Sequence, residues 1–284
     1  MNVPAHAGTD AAHDEVADPR RLAARFVHPH KQAFVQRARV DDAAASIFAA
    51  QLAGVTPGQL ARYHAEFAAA VAVSASQIEP GFAAHLPFRP GERILALGDS
   101  ITDDSLSWAS HLQSYLDTHR PHDDIEVVNA GITGNTTQEA IARIDRLSAE
   151  RPSWVIQLLG TNDARRHGRT QVRMQSIQET RRNLDLLARL VDEELAAQHI
   201  CLTPPPVAGA DADAWEPFRE ELITWREEDV AEIADAVRSH GGVVVDVHST
   251  LADDPVDKLL PDGVHPTLVG QRRILETLLA TIAL

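Results

Sequence analysis

Only one cysteine, Cys201, occurs in the 284 residues. That excludes an intramolecular disulfide and a cysteine-built zinc cage. Positive charge is scarce: 26 Lys and Arg stand against 41 Asp and Glu, a formal net charge of -15. A nucleic-acid-binding surface needs clustered cations to neutralise phosphates, so no nucleic-acid partner is expected. No uninterrupted apolar run approaches membrane-spanning length, so no membrane insertion is expected. The opening residues Met1 to Gly8 lack the basic and apolar regions of a signal peptide, and a cytoplasmic location is the expectation. Neither Gly-x-Gly-x-x-Gly nor Gly-Lys-Ser/Thr follows any strand candidate, which removes the usual phosphate-cradling loops. Aromatic residues are only 5% of the chain, while hydrophobic residues are 44%. A chain of this length with that apolar content can bury a large core, as one domain or one domain with an extension.

Three segments are distinguishable. Residues 1–18, rich in Ala, His, Asp and Gly without apolar periodicity, read as a mobile tail. Residues 19–90 read as a helical region. Asp41 and Asp42 place negative charge at a helix start, and Thr56-Pro57-Gly58-Gln59 is a capping-box pattern with proline at the first helical position. Leu60, Tyr63, Phe67, Val71 and Ile78 then share a face. Pro80-Gly81, Pro87 and Pro90 close the region. From Gly91 to the end, strand and helix patterns alternate. Strand candidates are 93–97, 125–129, 154–159, 199–203 and 243–247. Helical stripes are expected at Leu106, Ala109, Leu112 and Leu116; at Met174, Ile177, Leu184, Leu187 and Val191; at Trp215, Phe218, Leu222, Trp225, Ile233 and Val237; and at Ile274, Leu275, Leu278 and Ile282. Short apolar strands separated by helices predict a flavodoxin-like three-layer α/β/α sandwich. Its five-stranded parallel sheet would have the order 2-1-3-4-5 and follow a helical N-terminal region.

In such a sheet functional groups gather at the carboxyl ends of the strands. The first strand ends in Gly98-Asp99-Ser100, the second in Asn129 through Thr136, and the third in Gly160-Thr161-Asn162-Asp163. After the fifth comes Pro261-Asp262-Gly263-Val264-His265-Pro266. The order 2-1-3 makes the first three neighbours, and the fourth must reach back across the sheet. A serine lifted off a strand end can be exposed and activated. His265 has the side chain whose unperturbed pKa suits removal of the serine proton. Asp262 would hold that imidazole in the useful tautomer. Asn162 can offer a side-chain N–H, and Gly134 a backbone N–H, to an oxygen that becomes negative during attack.

These four blocks, in this order, resemble the SGNH (GDSL) hydrolase family over roughly residues 91–284. The resemblance implies Ser100 as nucleophile, Asp262 and His265 as acid and base, and Ser100, Gly134 and Asn162 as oxyanion donors. It also implies cleavage of carboxylic esters through an acyl-enzyme, without cofactor or metal. Low aromatic content and the lack of a long apolar lid favour small, short-acyl esters. An O-acetyl carbohydrate deacetylase would use the same triad, and a non-catalytic binding protein on the same fold is the alternative of another class.

Taken one at a time, these residues have plainer readings: Ser100 as a helix cap, Gly134 as a turn residue, Asn162 as a loop partner. Only their joint placement favours chemistry. Asp99, Asp163, Arg165 and Arg166 are candidates for contacting substrate or for supporting residues that do. Asp103 and Asp104 are expected to favour a helix N-terminus. His28-Pro29-His30 has no further ligands for a metal, and Cys201 reads as a small buried side chain. The helical N-terminal region lies outside the minimal family fold. Packing, a cover over the site and a homodimer contact are the three roles open to it.

Overall fold

A computed structural model of the protein describes residues 15–38, 40–253 and 258–283. Five parallel strands form its centre: β1 (Arg93–Gly98), β2 (Glu126–Asn129), β3 (Trp154–Leu158), β6 (Gln198–Leu202) and β8 (Val243–Val245). Their spatial order is β2-β1-β3-β6-β8, the predicted 2-1-3-4-5 arrangement. The register pairs Ala96 with Asn129 on one side and Gly98 with Leu158 on the other, so the first three strand ends lie side by side.

Both faces of the sheet are covered, which explains why the strands read as continuous apolar runs. Ile94, Ala96, Ile156, Leu158, Ile200 and Leu202 form one core with α6 (Trp108–His119) and α14 (Leu268–Ile282). The alternate residues Leu95, Leu97 and Val155 form the other, with α7 (Thr137–Ile141) and α9 (Ile177–Glu193). The period-2 alternation of a strand thus feeds two apolar layers at once. Strand five is shorter than expected, because Val247 opens α13 (Val247–Asp253) and Asp246 accepts the Ser249 N–H at its start.

Ahead of the sheet stand α1 (Pro19–Phe26), α2 (Ala33–Arg37), α3 (Asp42–Leu52) and α4 (Pro57–Ala75). Asp41 caps α3, and Thr56 with Gln59 forms the expected capping box on α4. Ala24, Ala50, Leu60, Phe67 and Val71 bury one another and reach Leu106 of the sheet unit. Ile78, Ala83, Leu86 and Phe88 join the core shared with α6 and α14. Residues 1–14 of the expected tail lie outside the described residues. Glu15 bonds to Arg25, and Asp18 caps α1.

Three expected helical stripes are broken in the structure: Leu106 lies ahead of α6, which Ser107 caps, and packs with the N-terminal helices instead of with Ala109, Leu112 and Leu116. Met174 lies before α9, half exposed, because Ser176 and Glu179 form the capping box that starts that helix. The stretch from Trp215 to Val237 is not one helix. It divides into α11 (Glu216–Glu220), the short strand β7 (Ile223–Thr224) and α12 (Glu227–Arg238). Pro217 fits only a first helical turn, and Leu222 takes a left-handed φ of 55° that ends α11. β7 joins β4 (Arg166–His167) and β5 (Val172–Arg173) in a small antiparallel sheet.

Candidate active site

The residues at the strand ends converge. Asp99 caps the short helix α5 (Ser100–Asp103), accepting the Ile101 N–H at 3.0 Å. Ser100 therefore sits at the first turn, off the end of β1. Its Oγ lies 2.9 Å from His265 Nε2, and His265 Nδ1 lies 2.7 Å from Asp262 Oδ2. The second Asp262 oxygen accepts the backbone N–H groups of Val264 and His265, each at 2.9 Å. Three donors thus hold that carboxylate in one orientation. The loop is tight: Gly263 has φ +67°, and a Cβ there would fall 2.3 Å from the Ala208 carbonyl oxygen.

Burial alone would favour the neutral form of both members of the pair. Their mutual attraction and the backbone donors outweigh it, so Asp262 is held below the ordinary carboxylate range and His265 is raised above 6.5. Asp104 and Asp99 add to the lift on His265. Asp99 is fully buried, and burial pushes its carboxyl up to about 7, against the lowering effect of the Ile101 N–H and the His265 charge.

Gly134 and Asn162 lie in the loops after β2 and β3, the strands on either side of β1. Gly134 has φ +83°, with open space where a Cβ would be. No acceptor among the described residues engages its N–H. The Asn162 amide donates to the Asn135 carbonyl at 3.2 Å, which leaves it a second N–H. Asp163 does not face the serine. It accepts the Thr137 N–H and the hydroxyls of Thr137 and Thr180, fastening the third loop to the start of α7 and to α9. Arg166 is committed to Asp229 at 2.6 and 2.9 Å. Arg165 donates to His167 and stays close enough for the Asp99 charge to act on it. Cys201 is buried with its thiol pushed up to about 12, so it is no rival nucleophile at neutral pH.

Several supports carry no local sequence signal. Gln271 of α14 donates to the Ile101 carbonyl and accepts the Trp108 N–H, both at 2.9 Å. The Trp108 indole N–H reaches Thr102 at 3.1 Å, and these bonds together fix the helix that carries Ser100. The Trp225 indole N–H donates to the Thr161 carbonyl at 2.9 Å, bracing the residue before Asn162.

Asp103 lies in the first turn of α5, and Asp104 accepts the Leu106 N–H ahead of α6 at 2.9 Å. Both also anchor the N-terminal region, a role the sequence did not announce. Arg25, 1% exposed, spans both Asp104 oxygens at 3.0 and 2.5 Å. Asp103 receives Lys31 at 2.6 Å and the His28 ring at 2.9 Å, while its other oxygen holds Thr133 beside Gly134. The His28 ring and the Lys31 charge hold Asp103 at about 2 in spite of burial. Phe26 brings its ring to 5.0 Å from that of His265.

The chain matches the model of the GDSL-like lipase/acylhydrolase family over residues 96–273. An acetylxylan esterase of Geobacillus stearothermophilus is 27% identical over 206 residues, covering 63% of this chain and 89% of that protein. Esterase TesA of Pseudomonas aeruginosa is 28% identical over 200 residues, covering 67% of this chain and 88% of its own length. Among solved structures, the acetylxylan esterase Axe2 from Geobacillus stearothermophilus superposes with a TM-score of 0.52 at 24% identity, covering 69% of this chain and 96% of Axe2.

Proposed function

The chain belongs to the GDSL-like lipase/acylhydrolase family and is a carboxylic ester hydrolase, and on that premise we propose that Ser100, His265 and Asp262 are its catalytic triad. The supporting observation is the unbroken chain of hydrogen bonds from Ser100 Oγ through His265 to Asp262, at 2.9 and 2.7 Å. His265 takes the Ser100 proton as Oγ attacks the acyl carbon, and Asp262 stabilises the imidazolium. The carbonyl oxygen becomes an oxyanion facing the N–H groups of Ser100, Gly134 and Asn162. His265 then gives its proton to the departing alcohol. Water, deprotonated in turn by His265, attacks the acyl-enzyme, and the acid is released as His265 returns that proton to Ser100 Oγ.

The substrate we propose is a small ester with a short acyl group. Phe26 against His265, held by the buried Arg25–Asp104 pair, walls the site on the side of the N-terminal region. An O-acetylated carbohydrate is the second reading, favoured by the acetylxylan esterase relative. Among the described residues no helix is long and apolar enough to cross a membrane. A cytoplasmic location fits the single buried thiol. Exposed Ile47, Phe48 and Leu52 on α3 support a homodimer through the N-terminal helices, which light scattering tests by the mass in solution.

The activity test is a series of nitrophenyl esters of increasing acyl length, given to the wild type and to Ser100→Ala. Hydrolysis that declines with chain length and vanishes in the variant supports the reading. Equal rates in wild type and variant would remove Ser100 from the mechanism. Release of acetate from acetylated xylo-oligosaccharide tests the second reading, and a folded wild type inert to every ester would favour the non-catalytic binding protein.

A further inference from the structure

At the carboxyl end of β2, the N-terminal region and the sheet unit line a cavity of about 220 Å³ that Ser100 and Gly134 do not line. His30 and Lys31 line it from one side, and Asn129, Arg143 and Arg146 from the other, with Glu150 also in the wall. Its charge is one-sided. Glu150 is engaged by Arg93, which donates to its carbonyl oxygen at 2.9 Å and to its carboxylate at 3.4 Å. Lys31 spends its charge on Asp103. Arg143 and Arg146 have no carboxylate partner among the described residues.

Arg143 is 7% exposed, and its side chain makes one hydrogen bond among the described residues, from Nη1 to the Ala130 carbonyl at 2.8 Å. Its Nε and Nη2, and Arg146 Nη1 beside them, are buried without a hydrogen-bond acceptor among the described residues. Buried donors on a charged group are costly when left unsatisfied. Two guanidinium groups close together also repel. Burial and the Arg146 charge draw Arg143 down to about 10. A guanidinium edge of Nε and Nη2 is the fork that receives two oxygens of one carboxylate or phosphate.

We propose that this cavity is a binding site for a small oxyanion, a phosphate or carboxylate group, received by the free edge of Arg143 with Arg146 and Lys31 around it. The site is separate from ester cleavage and does not depend on the triad. One anion there satisfies the buried donors, relieves the repulsion between the arginines and bridges the N-terminal region to the sheet unit.

Titration calorimetry on the full chain, without any ester, tests this with sodium phosphate and sodium acetate in separate arms, each against sodium chloride at equal ionic strength. The variants are Arg146→Gln and Lys31→Gln, checked for folding by thermal melting. Arg146 is only partly buried, so its replacement spares the bond that Arg143 makes to Ala130. Expected is saturable one-site binding of at least one oxyanion with Kd of about 1 mM or tighter, weakened about tenfold or more in Arg146→Gln. Binding of phosphate alone assigns a phosphate-type ligand, and binding of acetate alone a carboxylate. No saturable binding of either below roughly 10 mM, or equal affinity in wild type and folded Arg146→Gln, overturns the proposal.

Discussion

Asn162 isolates the oxyanion donors from the rest of the machinery, because its side chain makes one modest structural bond, to the Asn135 carbonyl at 3.2 Å. Loss of a donor of this kind costs about 2.7–4 kcal/mol of transition-state stabilisation, against about 1 kcal/mol of stability for the lost bond. Steady-state kinetics on Asn162→Ala should therefore show kcat lower by about 10²–10³-fold, with a small change in Tm. A comparable rise in KM with kcat unchanged would place Asn162 in ground-state binding instead. The base sets the pH response. His265 must be neutral to accept the serine proton, and its pKa is raised above 6.5 by Asp262, Asp104 and Asp99 in opposition to burial. kcat/KM should thus fall on acidification with an apparent pKa above 6.5, and Asp262→Asn should lower both the rate and that pKa. Stability runs the other way: the His265 contribution is full below 6.5 and is lost as pH rises through its raised folded-state pKa, while the Asp262 contribution is full above 3.8 and is lost as pH falls through its lowered one. An acid limb below 6.5 in the wild type would contradict the assigned geometry.

At the scale of elements, the short helix α5 is held from three directions: by Asp99 at its cap, by Gln271 and Trp108 beneath it, and by the N-terminal region through Asp103 and Asp104. The Arg25–Asp104 pair is the tightest of these, with both side chains 1% exposed. A buried pair adds little over an apolar substitute, but breaking it strands a charge. Denaturant unfolding of Arg25→Met should show a loss of about 3–5 kcal/mol, and the double replacement Arg25→Met with Asp104→Leu should recover much of it. No loss in the single variant would mean that α1 does not brace the serine helix. Apart from Asp99, these supports were not readable in the chain. Strand order alone makes the loops of Ser100, Gly134 and Asn162 neighbours, while the short loop of Asp262 and His265 reaches back across the sheet to them. Arg25, Trp225 and Gln271 meet their partners across long stretches of sequence, and no local pattern announces such contacts. The breaks at Met174 and Leu222 were missed for a related reason: apolar spacing continued past a capping box and a left-handed residue that ended the helices.

For the molecule as a whole, a parallel sheet with two apolar faces accounts for the strand order, and the N-terminal region is attached to it by charge as well as by apolar packing. Removing residues 1–75 would take from Asp103, Asp104 and Leu106 their partners in the N-terminal region while keeping the Ile78-to-Phe88 segment in the core. The truncated chain should show a clearly lower Tm and reduced kcat toward short esters. An unchanged Tm would make the region a separate appendage. The account rests most heavily on Ser100 being an activated nucleophile. The direct measurement is reaction with a fluorophosphonate probe, followed by mass spectrometry of the labelled peptide, in the wild type and in Ser100→Ala. The account predicts one adduct per chain, on Ser100, absent from the variant. A folded wild type that takes up no probe, or a variant labelled as readily as the wild type, would contradict it.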